Sequence, residues 1–241
     1  MSSNQSKRAR TKARLKKVFI WLQTLIGSIL FLGLVSAIGA LLFFAWLAQE
    51  VVKGGAQEFD EIIRLFVYEF ASAPLTAFMN FVTFLGSTLF LSVFFVCLLI
   101  FFIRCNWKRA AALLTITMAG AVILNFVLKA SFARPRPTPF FNTPLPDSYS
   151  FPSGHALFAL CFYGTVAWLV TTRTGKRSLK ILIWLVAVLL ITLIGISRIY
   201  LSVHYLSDVM AGYAASIVWI STIMLVDSIL KNKGDFLKKY V

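Results

Sequence analysis

Three short polar clusters interrupt a chain whose remaining sequence is very apolar. They read KASFARPRP at 129–137, FPSGHALF at 151–158 and SRIYLSVHYLSD at 197–208, and the only two histidines of the chain fall within them. Ionisable side chains beside apolar segments are unfavourable unless they are paired or functional. The residues of these clusters that can do chemistry are Lys129, Arg134, Arg136, Ser153, Gly154, His155, Arg198, His204 and Asp208.

The third cluster has the spacing of a paired histidine and carboxylate. His204 and Asp208 are four residues apart, so they lie on one face if the segment is helical. A carboxylate bonded to one imidazole nitrogen fixes the tautomer and leaves the other nitrogen free to react.

Taken together, the clusters match the requirements of phosphoryl transfer. Lys129, Arg136 and Arg198 supply cations for phosphate oxygens, and a helix that starts at PSGH adds free backbone N–H groups. One histidine can attack phosphorus while the other protonates the leaving oxygen. Two histidines and one aspartate beside three cations would repel a divalent ion, so we predict no metal and no other cofactor.

Each cluster alone also fits a structural role, and the sequence leaves these alternatives open. Lys129 at a helix end can extend its amine to the membrane surface, and Arg134 and Arg136 can hold lipid phosphates. PSGH is also an ordinary helix start with Ser153 as a possible N-cap. The histidine–aspartate pair of the third cluster can be purely structural.

The rest of the sequence predicts an integral membrane protein. Its 241 residues are 59% apolar and 14% charged, against about 45–50% and about 25% in soluble domains. A bilayer span needs about 20 apolar residues at a rise of about 1.5 Å per residue. We predict an all-α bundle of six transmembrane helices, at 18–48, 76–103, 109–129, 154–172, 179–197 and 208–230.

Two features modify this bundle. Gly86 and Ser87 inside the second span predict a weak point in that helix. Between the first two spans, apolar residues at helical spacing predict an amphipathic helix at the outer surface. Its acidic polar face suits anionic lipid poorly, so we expect it to pack on the bundle. Its apolar residues are Phe59, Ile62, Ile63, Phe66, Val67 and Phe70.

The positions of the charges predict the orientation in the membrane. The tails and the gaps at 104–109 and 173–180 hold 18 of the 24 basic residues. By the positive-inside rule, both termini are cytoplasmic and the three clusters face outward. The net charge of +15 is therefore a topology signal, and we expect no nucleic-acid partner. We expect a basic cytoplasmic tail at 1–17 and one cytoplasmic-membrane domain at 18–241.

The three clusters resemble the signature of the type-2 phosphatidic acid phosphatase family, membrane lipid phosphatases that share a core with vanadium haloperoxidases. The chain has K-x6-RP at 129–137, PSGH at 152–155 and SR-x5-H-x3-D at 197–208. The resemblance extends over nearly all of the chain after the basic tail. One departure is Leu206, where many bacterial relatives have proline, and it affects the shape of the loop more than the chemistry.

The resemblance implies a phosphohistidine mechanism. His204 would be the nucleophile, Asp208 would orient it, and His155 would be the general acid that protonates the leaving group. Water would then release inorganic phosphate. The phosphate would be held by Lys129, Arg136, Ser153, Gly154 and Arg198.

The resemblance also implies the class of substrate. Phosphatidylglycerophosphate, undecaprenyl pyrophosphate and phosphatidic acid all fit a lipid phosphatase at the outer face, with substrate and membrane lipids as its partners. The alternatives are a lipid phosphotransferase and a non-catalytic protein that binds or transports lipid phosphates. A vanadate haloperoxidase is disfavoured because those enzymes are soluble. The sequence does not specify the oligomeric state.

Overall fold

Helices make up all the regular structure in residues 31–141 and 145–240, the part of the chain that the computed structural model describes, with side chains up to residue 231. The predicted basic tail at 1–17 and the beginning of the first predicted span lie outside these residues. For the described part, the all-α fold class is confirmed. The helices are α1 (Phe31–Lys53), α2 (Gln57–Tyr68), α3 (Ala73–Leu85), α4 (Thr88–Arg104), α5 (Lys108–Phe132), α6 (Gly154–Thr171, with a π-helical turn at Leu160–Gly164), α7 (Arg177–Tyr200) and α8 (Leu206–Tyr240).

Five helices are long and apolar enough to cross a bilayer, namely α1, α5, α6, α7 and α8. The chain bends by 46° between α3 and α4, and these two helices count as a sixth span when taken as one broken helix. The predicted six-helix bundle is therefore confirmed, and the break falls at Gly86 and Ser87. Ser87 restarts the helix because its side chain accepts a hydrogen bond of 3.2 Å from the backbone N–H of Phe90.

Helix α6 is the central helix of the bundle. In its apolar span 61% of the residues are buried, against 11% in α1 and 22% in α7. The outer helices turn many apolar side chains away from the protein, and Phe126 on α5 is 73% exposed. Such side chains contact lipid tails when the bundle lies in a bilayer.

A glycine allows α8 to pack closely on the beginning of α6. A Cβ atom at Gly212 would lie 2.8 Å from the carbonyl oxygen of Ser153 and 3.2 Å from the Cβ atom of Ala156. Real Cβ atoms do not approach backbone oxygens so closely, so glycine is needed at this position. The contact places the first turn of α6 beside the first turns of α8.

The amphipathic helix α2 packs on α7 and α8, as expected, but its orientation is informative. Asp60 is turned towards the bundle and is 1% exposed. The apolar residues divide between two sides: Ile63 and Val67 pack against buried clusters of the bundle, whereas Phe59 and Ile62 are each more than half exposed. Helix α2 therefore buries a carboxylate together with part of its apolar surface and leaves the rest of that surface exposed.

The close α6–α8 contact leads to a stability prediction. We expect Gly212→Ala to lower the free energy of unfolding by about 1–3 kcal/mol, because the added methyl group overpacks a buried contact. The matched control is Gly39→Ala in α1, where an added Cβ would meet nothing within 4 Å. Thermal unfolding in detergent gives the melting temperature of both variants and of wild type. A Gly212→Ala variant that melts at the same temperature as Gly39→Ala would contradict the close packing.

Candidate active site

The three polar clusters meet at one end of the bundle although they come from four different helices. Lys129 lies in the last turn of α5 and Arg198 in the last turn of α7. His155 is in the first turn of α6, and Asp208 is in the first turn of α8. His204 lies in the loop between α7 and α8, one residue before the N-cap of α8.

A direct backbone contact joins the second and third clusters. The N–H of Ser153 donates a hydrogen bond of 2.9 Å to the carbonyl oxygen of Asp208. The first cluster joins them because the end of α5 redirects the chain. Ala133 ends that helix in the left-handed conformation, with φ of 45°, and the arginines that follow return to the site.

Asp208 holds His204 by one ring nitrogen. Nδ1 of His204 lies 3.3 Å from Oδ2 of Asp208, and the same carboxylate oxygen accepts the backbone N–H of Tyr205 at 3.0 Å. The hydroxyl of Ser150 donates to Oδ2 of Asp208 and lies 3.3 Å from Nδ1 of His204. The four-residue spacing thus brings the two side chains together across a helix start instead of along a helix face, because Asp208 at N3 accepts the backbone N–H of the N-cap residue Tyr205.

The opposite ring nitrogen of His204 faces the cations. Nε2 lies 3.0 Å from Nη1 of Arg136, which also donates to the carbonyl oxygen of Val203 at 2.8 Å. Because Asp208 accepts on the Nδ1 side, the ring proton is assigned to Nδ1 and the lone pair to Nε2. The nitrogen that carries the lone pair therefore points towards Arg136.

Burial keeps the imidazole of His204 neutral. The side chain is 2% exposed, and burial lowers its pKa to about 3. Asp208 opposes this shift, and the positive charges of Arg198 and Arg136 add to it. A neutral imidazole at physiological pH is the form that acts as a nucleophile.

The three predicted phosphate cations contact carbonyl and hydroxyl groups. Lys129 donates to the carbonyl oxygens of Tyr149 and Ser150. Arg136 donates to the carbonyl oxygen of Ser148 at 2.7 Å. Among the described residues, Lys129, Arg136 and Arg198 form no ion pair with a carboxylate. Their positive charges therefore remain available to an anion.

Three buried polar atoms around the start of α6 have no hydrogen-bond partner: Oγ of Ser153, Nε of Arg198 and Oδ1 of Asn125. Ser153 stands at the N-cap position of α6, as its sequence predicts, but its hydroxyl makes no capping bond. Asn125 is placed against Gly154, where its Oδ1 would lie 3.1 Å from an added Cβ atom. Polar atoms of this kind suit a site that binds a polar ligand.

His155 approaches the break between α3 and α4. A Cβ atom at Gly86 would lie 3.4 Å from Cδ2 of the imidazole and 2.5 Å from Cγ2 of Ile194. The glycine of the broken span therefore provides space for the second histidine. In the described part of the chain, no group of three or more His, Cys, Asp or Glu side chains is placed to hold a metal ion.

Sequence reasoning missed three residues of this region and the partners of a fourth, Arg134. Arg134 was one of the residues for which lipid-phosphate binding stayed open, and the structure instead pairs it with Asp208 at 2.8 Å and Asp60 at 2.8 Å. Ser150 and Asn125 carry no local sequence signal, because an isolated serine or asparagine is common in loops and helices. Asp60 lies in a separate helix, far from the motifs along the chain.

Residues 109–230, from α5 to α8, match the PAP2 superfamily. This chain belongs to the PAP2 superfamily. The match contains all three polar clusters, whereas α1 to α4 lie before it. The resemblance noted in the sequence is thereby confirmed.

Two lipid-phosphate enzymes are similar to this chain in sequence. The chain is 32% identical to phosphatidylglycerophosphatase B of Bacillus subtilis over 180 residues, which are 73% of this chain and 87% of that protein. It is 33% identical to an undecaprenyl-diphosphatase of Sulfolobus acidocaldarius over 119 residues, which are 47% of this chain and 53% of that protein.

Two crystal structures resemble this PAP2 protein. A transmembrane PAP2-type phosphatidylglycerolphosphate phosphatase from Bacillus subtilis superposes with a TM-score of 0.72 at 29% identity, covering 80% of this chain and 96% of that one. LpxE of Aquifex aeolicus superposes with a TM-score of 0.54 at 28% identity, covering 68% and 93%. The protein is thus a multi-pass membrane lipid phosphatase.

The buried imidazole leads to a direct titration experiment. Replacing His155 with Asn leaves His204 as the only histidine, since the chain has two. In that variant, purified without a histidine tag, we expect the ring ¹⁵N shifts to stay those of neutral imidazole from pH 8 down to pH 5. The reason is that the lowered pKa of about 3 leaves His204 unprotonated above it. A midpoint near the ordinary value of about 6.5 would contradict this environment.

Proposed function

We propose that this protein hydrolyses a lipid phosphate monoester or pyrophosphate through a phosphohistidine at His204, without a metal ion. The observation that carries the proposal is the geometry of one imidazole. Nδ1 of His204 contacts the carboxylate of Asp208, and Nε2 lies 3.0 Å from Nη1 of Arg136. A neutral, oriented nucleophile beside cations without carboxylate partners is what attack on a phosphate anion needs.

In the first step, Nε2 of His204 attacks phosphorus while the bond from phosphorus to the leaving oxygen breaks. Asp208 stabilises the positive charge that develops on the imidazole. His155 donates a proton to the leaving oxygen, which belongs to an alkoxide or to a phosphate. The product is a lipid alcohol or a lipid monophosphate, and the phosphoryl group stays on His204.

In the second step, water attacks the phosphorus of the phosphohistidine. His155, now deprotonated, takes the proton of that water, and the bond from phosphorus to Nε2 breaks. Inorganic phosphate leaves and His204 returns to its neutral form. This second use of the same histidine restores both groups to their starting protonation states.

Charged and polar groups around the start of α6 hold the phosphate in both steps. Lys129, Arg136 and Arg198 contribute cations, and Ser153 and Gly154 contribute the N-terminal region of α6. The unpartnered Nε of Arg198 and Oγ of Ser153 support this assignment, because a phosphate oxygen would satisfy both. Such donors are most effective where charge builds in the transition state.

The site is proposed to face the outside of the cytoplasmic membrane, with both termini in the cytoplasm. The excess of basic residues at the opposite end of the bundle and in the tails supports this orientation. A site at the end of the helices lets lipid tails stay in hydrocarbon while the phosphate meets the cations. Residues 1–17 are proposed as a cytoplasmic tail and 18–241 as one membrane domain.

Phosphatidylglycerophosphate and undecaprenyl pyrophosphate are the substrates that the relatives support, because one relative bears the name of each activity. Phosphatidic acid carries the same phosphate monoester and is the third candidate. The phosphate-binding groups are common to all three lipids. Selectivity among them must therefore depend on the helices that contact the tails and the leaving group.

The decisive experiment measures phosphate release by purified protein in detergent with excess chelator. We expect wild type to release phosphate from at least one of the three lipids, and His204→Ala to lose about a thousandfold or more of its turnover because the nucleophile is gone. His155→Ala, which retains the nucleophile, should accumulate labelled phosphoenzyme from a substrate with a good leaving group.

Three results would contradict the proposal in different ways. Loss of wild-type activity in chelator would remove the metal-free mechanism. Binding of all three lipids without turnover would favour a binding or transport protein. Label that appears on an added acceptor alcohol instead of in free phosphate would indicate a phosphotransferase.

A further inference from the structure

A buried guanidinium links helix α2 to the carboxylate that holds His204. Nη2 of Arg134 lies 2.8 Å from Oδ2 of Asp60 on α2, and Nη1 lies 2.8 Å from Oδ1 of Asp208 on α8. The side chains of both aspartates are fully buried, and that of Arg134 is 8% exposed. We call these three side chains the Asp60–Arg134–Asp208 bridge.

The first turn of α8 anchors the bridge at several further points. Asp60 accepts the backbone N–H of Ser207 at 2.9 Å and its hydroxyl at 2.5 Å. Nη1 of Arg134 donates to the same hydroxyl at 2.7 Å, and the guanidinium lies 4.2 Å from the ring centroid of Tyr205. Both aspartate side chains and the guanidinium are therefore held in one orientation by hydrogen bonds to groups of the first turn of α8 and to one another.

Stability alone does not account for such a group. Buried ion pairs lose much of their attraction to desolvation, and apolar side chains of similar volume often stabilise a protein equally well. The bridge instead ends on the carboxylate that contacts Nδ1 of His204. Charges arranged around a candidate nucleophile are characteristic of functional sites.

We propose that Arg134 and Asp60 are positioning residues for the reaction: α2 holds Arg134 against Asp208, and Arg134 holds that carboxylate at Nδ1 of His204. This inference rests on the proposed function of His204. It gives a role in the reaction to α2, a helix that lies outside the matched family region of residues 109–230. Neither residue touches the phosphate, so their effect is transmitted through Asp208.

The bridge also sets how strongly the imidazole attracts a proton. Arg134 partly neutralises Asp208, so its removal would expose His204 to a stronger negative charge. Removal of the Asp60 charge would have the opposite effect, because Arg134 would then neutralise Asp208 more fully and His204 would attract a proton less strongly. The remaining charged or titratable groups facing the pair are Lys129 on α5, Arg136 in the following loop, His155 on α6 and Arg198 on α7.

The experiment compares Arg134→Met, Arg134→Lys and Asp60→Asn with wild type on a lipid that wild type hydrolyses. We expect Arg134→Met to lower kcat by roughly tenfold or more, with KM within about twofold, because the phosphate cations are untouched. Arg134→Lys should recover part of kcat, since it keeps one charge but loses the second contact.

Titration of His204 separates positioning from a general loss of structure. In the His155→Asn background, Arg134→Met should move the midpoint upward from about 3 to above about pH 4, because a nearby cation is lost. Asp60→Asn should not raise it. A midpoint that rises in one variant and not in the other, although both break the same bridge, is not expected from unfolding.

The matched control is Arg109→Met at the other end of the bundle. Arg109 also joins two helices by contacting one carboxylate, with Nε 2.7 Å and Nη2 2.5 Å from Oδ1 of Asp227. Its removal should lower the melting temperature but leave kcat and the His204 midpoint unchanged. Where Arg134→Met does not fold, kcat is compared in Arg134→Lys and Asp60→Asn instead, and values within twofold of wild type in both would overturn the inference.

Two results would overturn the inference. One is a kcat of Arg134→Met within twofold of wild type, and the other is an unchanged His204 midpoint in folded Arg134→Met. Wild-type turnover together with an inactive His204→Ala variant shows that the proposed function holds. If wild type shows no turnover, or if His204→Ala stays active, the proposed function itself is contradicted. Failure of the inference and failure of the proposed function are therefore distinguishable.

Discussion

Asp208 is the group on which the active end of this protein depends. A buried carboxylate must have all its oxygens satisfied, and here one oxygen accepts from Arg134 while the other accepts from Ser150 and the backbone of Tyr205. The main-chain carbonyl of the same residue accepts from Ser153. One side chain and its backbone therefore hold all three polar clusters together, and His204 is oriented as part of that arrangement.

The membrane gives this arrangement its chemical setting. Arg198 is buried at the end of the bundle, so little water competes with an anion for its charge, and burial also keeps the imidazole of His204 neutral. Two features that are unfavourable in isolation, unpaired cations and a buried imidazole, thus become useful when a phosphate arrives. The break at Gly86 and the close contact at Gly212 supply the space and the proximity that the two histidine-bearing segments need.

Helix α2 shows how an accessory element can become part of a shared core. Several of its apolar side chains are exposed, while its buried Asp60 reaches the pair of Arg134 and Asp208. The matched family region starts only at residue 109. A helix outside the motifs therefore completes the hydrogen bonding of a motif residue, the carboxylate that contacts Nδ1 of His204.

The sequence by itself determined the helical class, the spans, the helix break and the residues of the three motifs. These depend on local properties: apolar run length, glycine and serine at a break, and side-chain types at fixed spacing. Tertiary structure alone decided the partners of Arg134, the role of Ser150 beside Asp208, the place of Asn125 against Gly154, and the burial of Asp60 on α2. The reason is physical, because a buried charge is stabilised by whichever group lies nearest in space, and residues 60, 134 and 208 are brought together only by packing.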